Sequence, residues 1–195
     1  MSITAQDVKK LRDATGAGMM KAKAALEAVG GDHEQAIQYL RETGEASAAK
    51  KADREVREGV IESYIHSGRI GVLVEVNCET DFVARTEDFK TFARDIAMHV
   101  AAANPEYLNP ESVPAEVVER ERAIYAKEVE GKPAEILDKI VDGKLAKFYE
   151  SVCLVNQPFV KNPDQTVTQL TNEVIAKTGE NVVIRRFQRL ELGGL

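Results

Sequence analysis

The chain has 195 residues, 44% apolar and 30% charged, with 26 Lys and Arg against 32 Asp and Glu for a formal net charge of −6. That length accommodates one ordinary domain or two small ones, with a core that needs no covalent staples. The acidic balance excludes a dedicated nucleic-acid binder, which must neutralise many phosphates with clustered positive charge. Two cysteines, Cys78 and Cys153, cannot build a disulfide scaffold or a four-thiolate zinc site, and both are expected as reduced thiols. The N-terminus, MSITAQDVKK, precedes no apolar run of signal-peptide length, and no stretch is long enough to span a membrane. The expected setting is therefore the cytoplasm.

Residues 1–44 read as a small three-helix bundle. Thr4 caps a first helix with Val8 and Leu11 on one face, ending at Thr15-Gly16. Ala17-Gly18-Met19-Met20 opens a second, in which Ala22, Ala25, Leu26 and Val29 recur at helical spacing until Gly30-Gly31. Asp32 caps a third, with Ala36, Ile37 and Leu40 facing inward and Gly44 closing it. Residues 45–58, EASAAKKADREVRE, hold one large apolar residue, Val56, and read as a solvated helical linker.

From Gly59 onward, residues 59–195 read as an α+β core with an antiparallel sheet packed by helices. Val60 to His66 and Ile70 to Val76 form a predicted β-hairpin about Ser67-Gly68, the second strand alternating β-branched and other residues. A polar break, Asn77 to Asp81, follows. Phe89, Phe92, Ala93, Ile96, Ala97 and Val100 then make one helical stripe with Thr86 as its cap and Asn104-Pro105 as its end. Two charged helices over 115–129 and 133–150, divided by Gly131-Lys132-Pro133, precede a predicted strand at Val152 to Val160 broken at Pro158. A helix over Val167 to Thr178, closed by Gly179, leads into a last strand, Val182 to Leu192. The inward parity of that strand shifts between Ile184 and Phe187, the mark of a bulge.

Catalytic patterns are scarce. His33, His66 and His99 fall in three elements without ligand spacing, and no Gly-rich phosphate loop follows a strand. No catalytic or metal-binding residue is expected, and no cofactor. Two features stand out instead. Met19 and Met20 occupy consecutive positions at a helix start, about 100° apart, so both cannot face one small core; methionine also suits adaptable binding surfaces. Thr80-Asp81-Phe82-Val83 follows a strand and precedes a helix, and Phe82 there either anchors the core, the commoner role, or protrudes as a wedge into a partner.

The run Val8 to Met20, VKKLRDATGAGMM, closely resembles the N-terminal signature of the bacterial translation elongation factor Ts family. Gly71 to Arg85, GVLVEVNCETDFVAR, resembles that family's second signature, and the likeness continues through Gln157-Pro158-Phe159-Val160 and Gly179 to Phe187. The resemblance implies a guanine-nucleotide exchange factor for elongation factor Tu, without covalent catalysis. It implies a ubiquitin-associated-like N-terminal bundle that docks on the partner through Arg12, Met19, Met20 and Lys23. It further implies that Thr80, Asp81, Phe82 and Val83 insert beside the partner's Mg²⁺ and phosphate site and dislodge the ion. Longer family members carry a duplicated core and an inserted coiled coil. This chain has one core copy, so the resemblance implies a homodimer through the core sheet and a 2:2 complex, with no direct nucleic-acid or membrane partner. Two other readings stay open on the residues: an interaction module without exchange activity, which has no need of the Thr80 to Val83 motif, and an enzyme with Cys78 as nucleophile.

Overall fold

The computed structural model describes residues 3–129 and 133–194. Helix α1 (Ala5–Thr15) starts where the sequence places it, because Thr4 and Asp7 form a reciprocal cap. The Thr4 hydroxyl accepts from Asp7 N at 3.2 Å, while the Asp7 carboxylate accepts from Thr4 N at 2.9 Å. It stops at Gly16, whose φ of +66° places it in the left-handed region that glycine enters without a Cβ clash. Helix α2 (Met19–Ala28) and α3 (His33–Ala49) follow, the latter capped by Asp32 accepting from Gln35 N at 2.9 Å. Val8, Leu11, Ala22, Ala25, Leu26 and Ala36 form the bundle core, with Val29, Ile37 and Leu40 packed at its margin.

Helix α3 departs from the expected end at Gly44. It runs five residues further, to Ala49, with Gly44 and Ala48 both buried. The reason is spacing: Ala36, Leu40, Gly44 and Ala48 recur every fourth residue, so small side chains continue the inward stripe. A Cβ on Gly44 would meet Ala176 at 3.9 Å, an ordinary contact. The expected helical linker is thus the last turn of α3 up to Ala49, followed by turns and irregular chain to Arg57.

The chain divides into two compact units. One contains the residues up to Glu62, Val74–Arg94 and Gln169–Arg185; the other contains Ser63–Leu73, Asp95–Thr168 and the residues from Arg186 onward. Strands β1 (Glu58–His66), β2 (Ile70–Cys78) and β5 (Val182–Glu191), and helices α5 (Glu87–Ala103) and α8 (Val167–Thr178), contribute residues to both. The strands pair in the order β1-β2-β5. Leu192 N, past the end of β5, donates to Arg69 O, just before β2, at 2.8 Å, so the two strands run antiparallel.

In the first unit Val74, Val76, Cys78, Val182 and Ile184 are buried, as are Phe89, Phe92 and Ala93 of α5. Thr86 caps α5 as expected, accepting from Phe89 N at 3.3 Å. Gly59 has φ +150°, and a Cβ there would lie 2.1 Å from Val76 O, so the two hairpin strands approach where only glycine fits. Strand β2 reaches Cys78, which shortens the expected polar break to two residues before α4 (Asp81–Ala84).

In the second unit α6 (Ala115–Glu128) and α7 (Ala134–Val152) enclose Val129, Val141 and Leu145. Arg122 and Asp142 bridge them at 2.6 Å, and Lys144 pairs with Glu128. Of the dividing Gly131-Lys132-Pro133, the first two lie outside the described residues. The strand expected over Val152 to Val160 is not formed. Helix α7 continues to Val152, Cys153 makes a single parallel bridge with Tyr107, and Leu154–Asn156 form a 3₁₀ turn. Only Pro158–Phe159 (β3) are extended, paired antiparallel with β4 (Asn162–Thr166). His99 organises this turn: its Nδ1 accepts from Val160 N at 3.2 Å and its Nε2 lies 2.9 Å from Gln157 Oε1. That arrangement makes Nε2 the protonated nitrogen of a neutral ring. On β5 the burial alternation shifts after Ile184, with Arg185 and Arg186 both exposed.

Candidate functional site

The two candidate surfaces both lie in the first unit. On the bundle, Met19 and Met20 open α2 and are 54% and 77% exposed, so neither enters the core. Gly18 supplies no side-chain cap to this helix, which leaves its first turn accessible. Arg12, in the last turn of α1, and Lys23, one turn into α2, are also exposed. Their ion pairs with Asp13 at 3.7 Å and Glu27 at 3.6 Å are of the solvated kind that contributes little.

The second surface is α4. Thr80 is its N-cap, its hydroxyl accepting from Val83 N at 3.5 Å, and Asp81 opens the turn and pairs with Arg85 at 2.8 Å. Phe82 is 79% exposed. A phenyl ring left in water forgoes about 2 kcal/mol of burial, so the core-anchor role is excluded for Phe82. Val83 is half-buried and Ala84 buried, which leaves the ring standing out from an otherwise seated turn.

The base of α4 is held by residues about 100 positions away. The Glu180 carboxylate accepts from Glu79 N at 3.1 Å, from Thr80 N at 3.0 Å and from the Thr80 hydroxyl at 2.6 Å. In return, Glu79 Oε1 accepts from Asn181 N at 2.6 Å, with Arg54 3.5 Å away. The Asn181 side chain donates to Ala52 O and Arg54 O at 3.2 and 2.9 Å. Hydrogen bonds onto an ionised carboxylate are short and roughly twice as strong as neutral ones. Sequence reading assigned no role to Glu79, Glu180, Asn181 or Arg54. The available signal is that Glu79 stands in the Gly71 to Arg85 segment and Gly179-Glu180-Asn181 in the last of the four segments that resemble the family.

Helix α8 links this anchor to the bundle. Lys21, between Met20 and Lys23, donates to Ala176 O at 2.5 Å, and Lys177 pairs with Asp88 of α5 at 2.8 Å. Gly179, with φ +79°, then turns the chain into Glu180.

Cys78 is buried beneath the motif. Burial, then the charge of Glu180, pushes its thiol up to about 11, and its S–H donates to Thr80 O at 3.2 Å. A thiol so far from ionisation is a poor nucleophile at neutral pH. Cys153 is likewise buried and raised to about 11. Among the described residues, no group of three or more His, Cys, Asp or Glu is arranged to hold a metal, and no helix is long and apolar enough to cross a membrane.

The sequence profile of the family described as Elongation factor TS matches residues 3–174. The protein is 61% identical to an elongation factor Ts of Carboxydothermus hydrogenoformans over 194 residues, covering 98% of this chain and 89% of that one. It is 58% identical to an elongation factor Ts of Syntrophus aciditrophicus over 196 residues, covering 99% of this chain and 98% of the relative. Against an elongation factor Ts of Thermodesulfovibrio yellowstonii it is 54% identical over 194 residues, with 99% and 98% covered. With identities of this size running from end to end, the chain belongs to the elongation factor Ts family.

Proposed function

We propose that this protein is a guanine-nucleotide exchange factor that binds the GDP complex of elongation factor Tu and speeds GDP release. The single observation that carries the reading is Phe82: a large apolar ring, 79% exposed, on a one-turn helix whose base is fixed by charge-assisted hydrogen bonds. Such a ring is a wedge ready to enter a partner without refolding.

In this reading Arg12, Met19, Met20 and Lys23 dock the bundle on the partner, and Thr80 to Val83 act at its Mg²⁺ and phosphate site. Mg²⁺ demands near-ideal octahedral geometry at about 2.0–2.1 Å, so a small displacement of the groups around it removes much of its affinity. Loss of the ion leaves phosphate charge uncompensated and GDP departs faster. Factor and nucleotide weaken each other reciprocally, so incoming GTP displaces the factor. No covalent step and no cofactor are involved, and the work is done in the cytoplasm.

The same reading includes a homodimer through the core sheet. It is supported by three strand residues of the core sheet, Ile65 of β1, Leu73 of β2 and Leu190 of β5, which are all more than half exposed. Large apolar side chains left exposed in numbers on one sheet mark candidate interaction surfaces. Light scattering after size exclusion checks this: a 21.5 kDa species at micromolar concentration contradicts the dimer.

The exchange reading is tested by mixing the protein with elongation factor Tu carrying fluorescent GDP. Acceleration of release supports it; release at the spontaneous rate rejects it.

A further inference from the structure

The geometry points to Glu180 as the positioning residue of the exchange site, the group that sets the attitude of the Phe82 wedge through Thr80; this rests on the exchange reading above. Thr80 has one hydroxyl proton and two lone pairs. The proton is committed to Glu180 Oε1 at 2.6 Å, which leaves a lone pair directed to Val83 N at 3.5 Å. Glu180 therefore orients the Thr80 hydroxyl as an acceptor toward α4. The same carboxylate takes the backbone amides of Glu79 and Thr80, the two residues that lead into the helix. Three of the donors that determine where α4 begins thus converge on one side chain.

An isolated four-residue helix has no stability of its own, because nucleation fixes more backbone than one turn of hydrogen bonds repays. The attitude of α4 must come from its anchors. Asp81 and Arg85 lie within the turn and cannot orient it relative to the rest of the unit. Glu180 can, because it lies two residues past the end of α8, and α8 receives Lys21 of the bundle at Ala176 O. The run from Ala176 to Glu180 is a strut with the methionine-bearing helix bonded at one end and the wedge at the other.

The distinguishing experiment follows fluorescent GDP release from elongation factor Tu as a function of factor concentration. Loss of folded protein alone raises the apparent half-saturating concentration and leaves the plateau intact, since excess factor still saturates. Loss of wedge positioning lowers the plateau. Glu180→Gln keeps the size of the side chain but cannot accept all three bonds, and its plateau is expected to fall about tenfold, with half-saturation moved less than about threefold. Thr80→Val removes the same hydroxyl bond, so the double variant Glu180→Gln/Thr80→Val should be no worse than the poorer single variant. Thr80→Ser, which restores the hydroxyl, should recover most of what Thr80→Val loses. Amide exchange at Thr80 and Val83 should quicken in Glu180→Gln without any partner present. A wild-type plateau in Glu180→Gln, or multiplicative losses in the double variant, overturns the inference while the exchange reading stands. A wild-type protein that fails to speed release overturns both.

Discussion

Glu180 Oε2 accepts from Glu79 N at 3.1 Å although the two residues are 101 positions apart. The exchange is mutual in kind, because Glu79 Oε1 accepts from Asn181 N, the residue after Glu180, at 2.6 Å. A carboxylate held in a partly buried junction needs donors to compensate its charge. Here each is compensated by backbone amides of the other's segment, with Arg54 adding charge beside Glu79. The junction between β2 and α4 is thereby tied to the junction between α8 and β5, and Phe82 stands on it.

On the proposed exchange function, variants of the exposed methionines should separate docking from release. Met20→Ala and Met19→Ala remove no core contact, so unfolding midpoints in urea should match wild type within about 0.5 kcal/mol. Both variants should raise the half-saturating factor concentration in GDP release and keep the plateau. A plateau that falls instead assigns the methionines to the release step.

Gly59 carries a backbone requirement. With a Cβ only 2.1 Å from Val76 O and φ at +150°, Gly59→Ala must shift one hairpin strand or twist its own backbone. The expected loss is at least about 2 kcal/mol, read from the urea midpoint. A wild-type midpoint contradicts the close approach of Gly59 to Val76.

His99 makes stability depend on pH. Burial holds its pKa below the ordinary 6.5, although the bond to Gln157 acts in the opposite sense. A group whose folded pKa is depressed stabilises the fold fully above its unfolded value and loses that contribution as pH falls toward the folded value. Stability should therefore decline as pH drops below about 6.5, where an added proton on Nδ1 would face Val160 N–H. Denaturant midpoints between pH 7.5 and 5 check this, and His99→Gln should flatten the slope.

Cys78 should be chemically quiet. At pH 8 a thiol raised to about 11 is roughly one-thousandth thiolate, so iodoacetamide should modify it far more slowly in the native protein than in urea. Cys78→Ser keeps a donor for Thr80 O and should retain GDP-release activity. Abolished activity in a folded Cys78→Ser protein revives the nucleophile reading.

The bundle was legible because its signals are local: a Thr4–Asp7 cap, a Gly16 stop and the inward series Val8, Leu11, Ala22, Leu26. The hairpin and the α5 stripe were legible for the same reason, through periodicity. Gly44 misled because glycine ends helices when exposed at a terminus, whereas here it continues a stripe of small residues. The expected strand at Val152 to Val160 failed because β-branched residues there serve the end of α7 and a 3₁₀ turn held by His99 and Gln157. The Thr80 to Val83 motif was visible from its signature, but its anchor was not. Glu180 stands in the Gly179 to Phe187 segment with nothing in its spacing to pair it with Thr80, and only the fold brings the two together.

The central claim is that Phe82 acts through the partner's Mg²⁺. It is tested most directly by GDP release from elongation factor Tu at saturating factor while Mg²⁺ is varied from millimolar to fully chelated. At millimolar Mg²⁺ the wild-type protein should speed release by orders of magnitude and Asp81→Ala/Phe82→Ala far less. On chelation the two should converge, because the step the wedge assists is already complete. Equal rates for the two proteins at every Mg²⁺ concentration, or a gap that chelation leaves unchanged, would contradict the account.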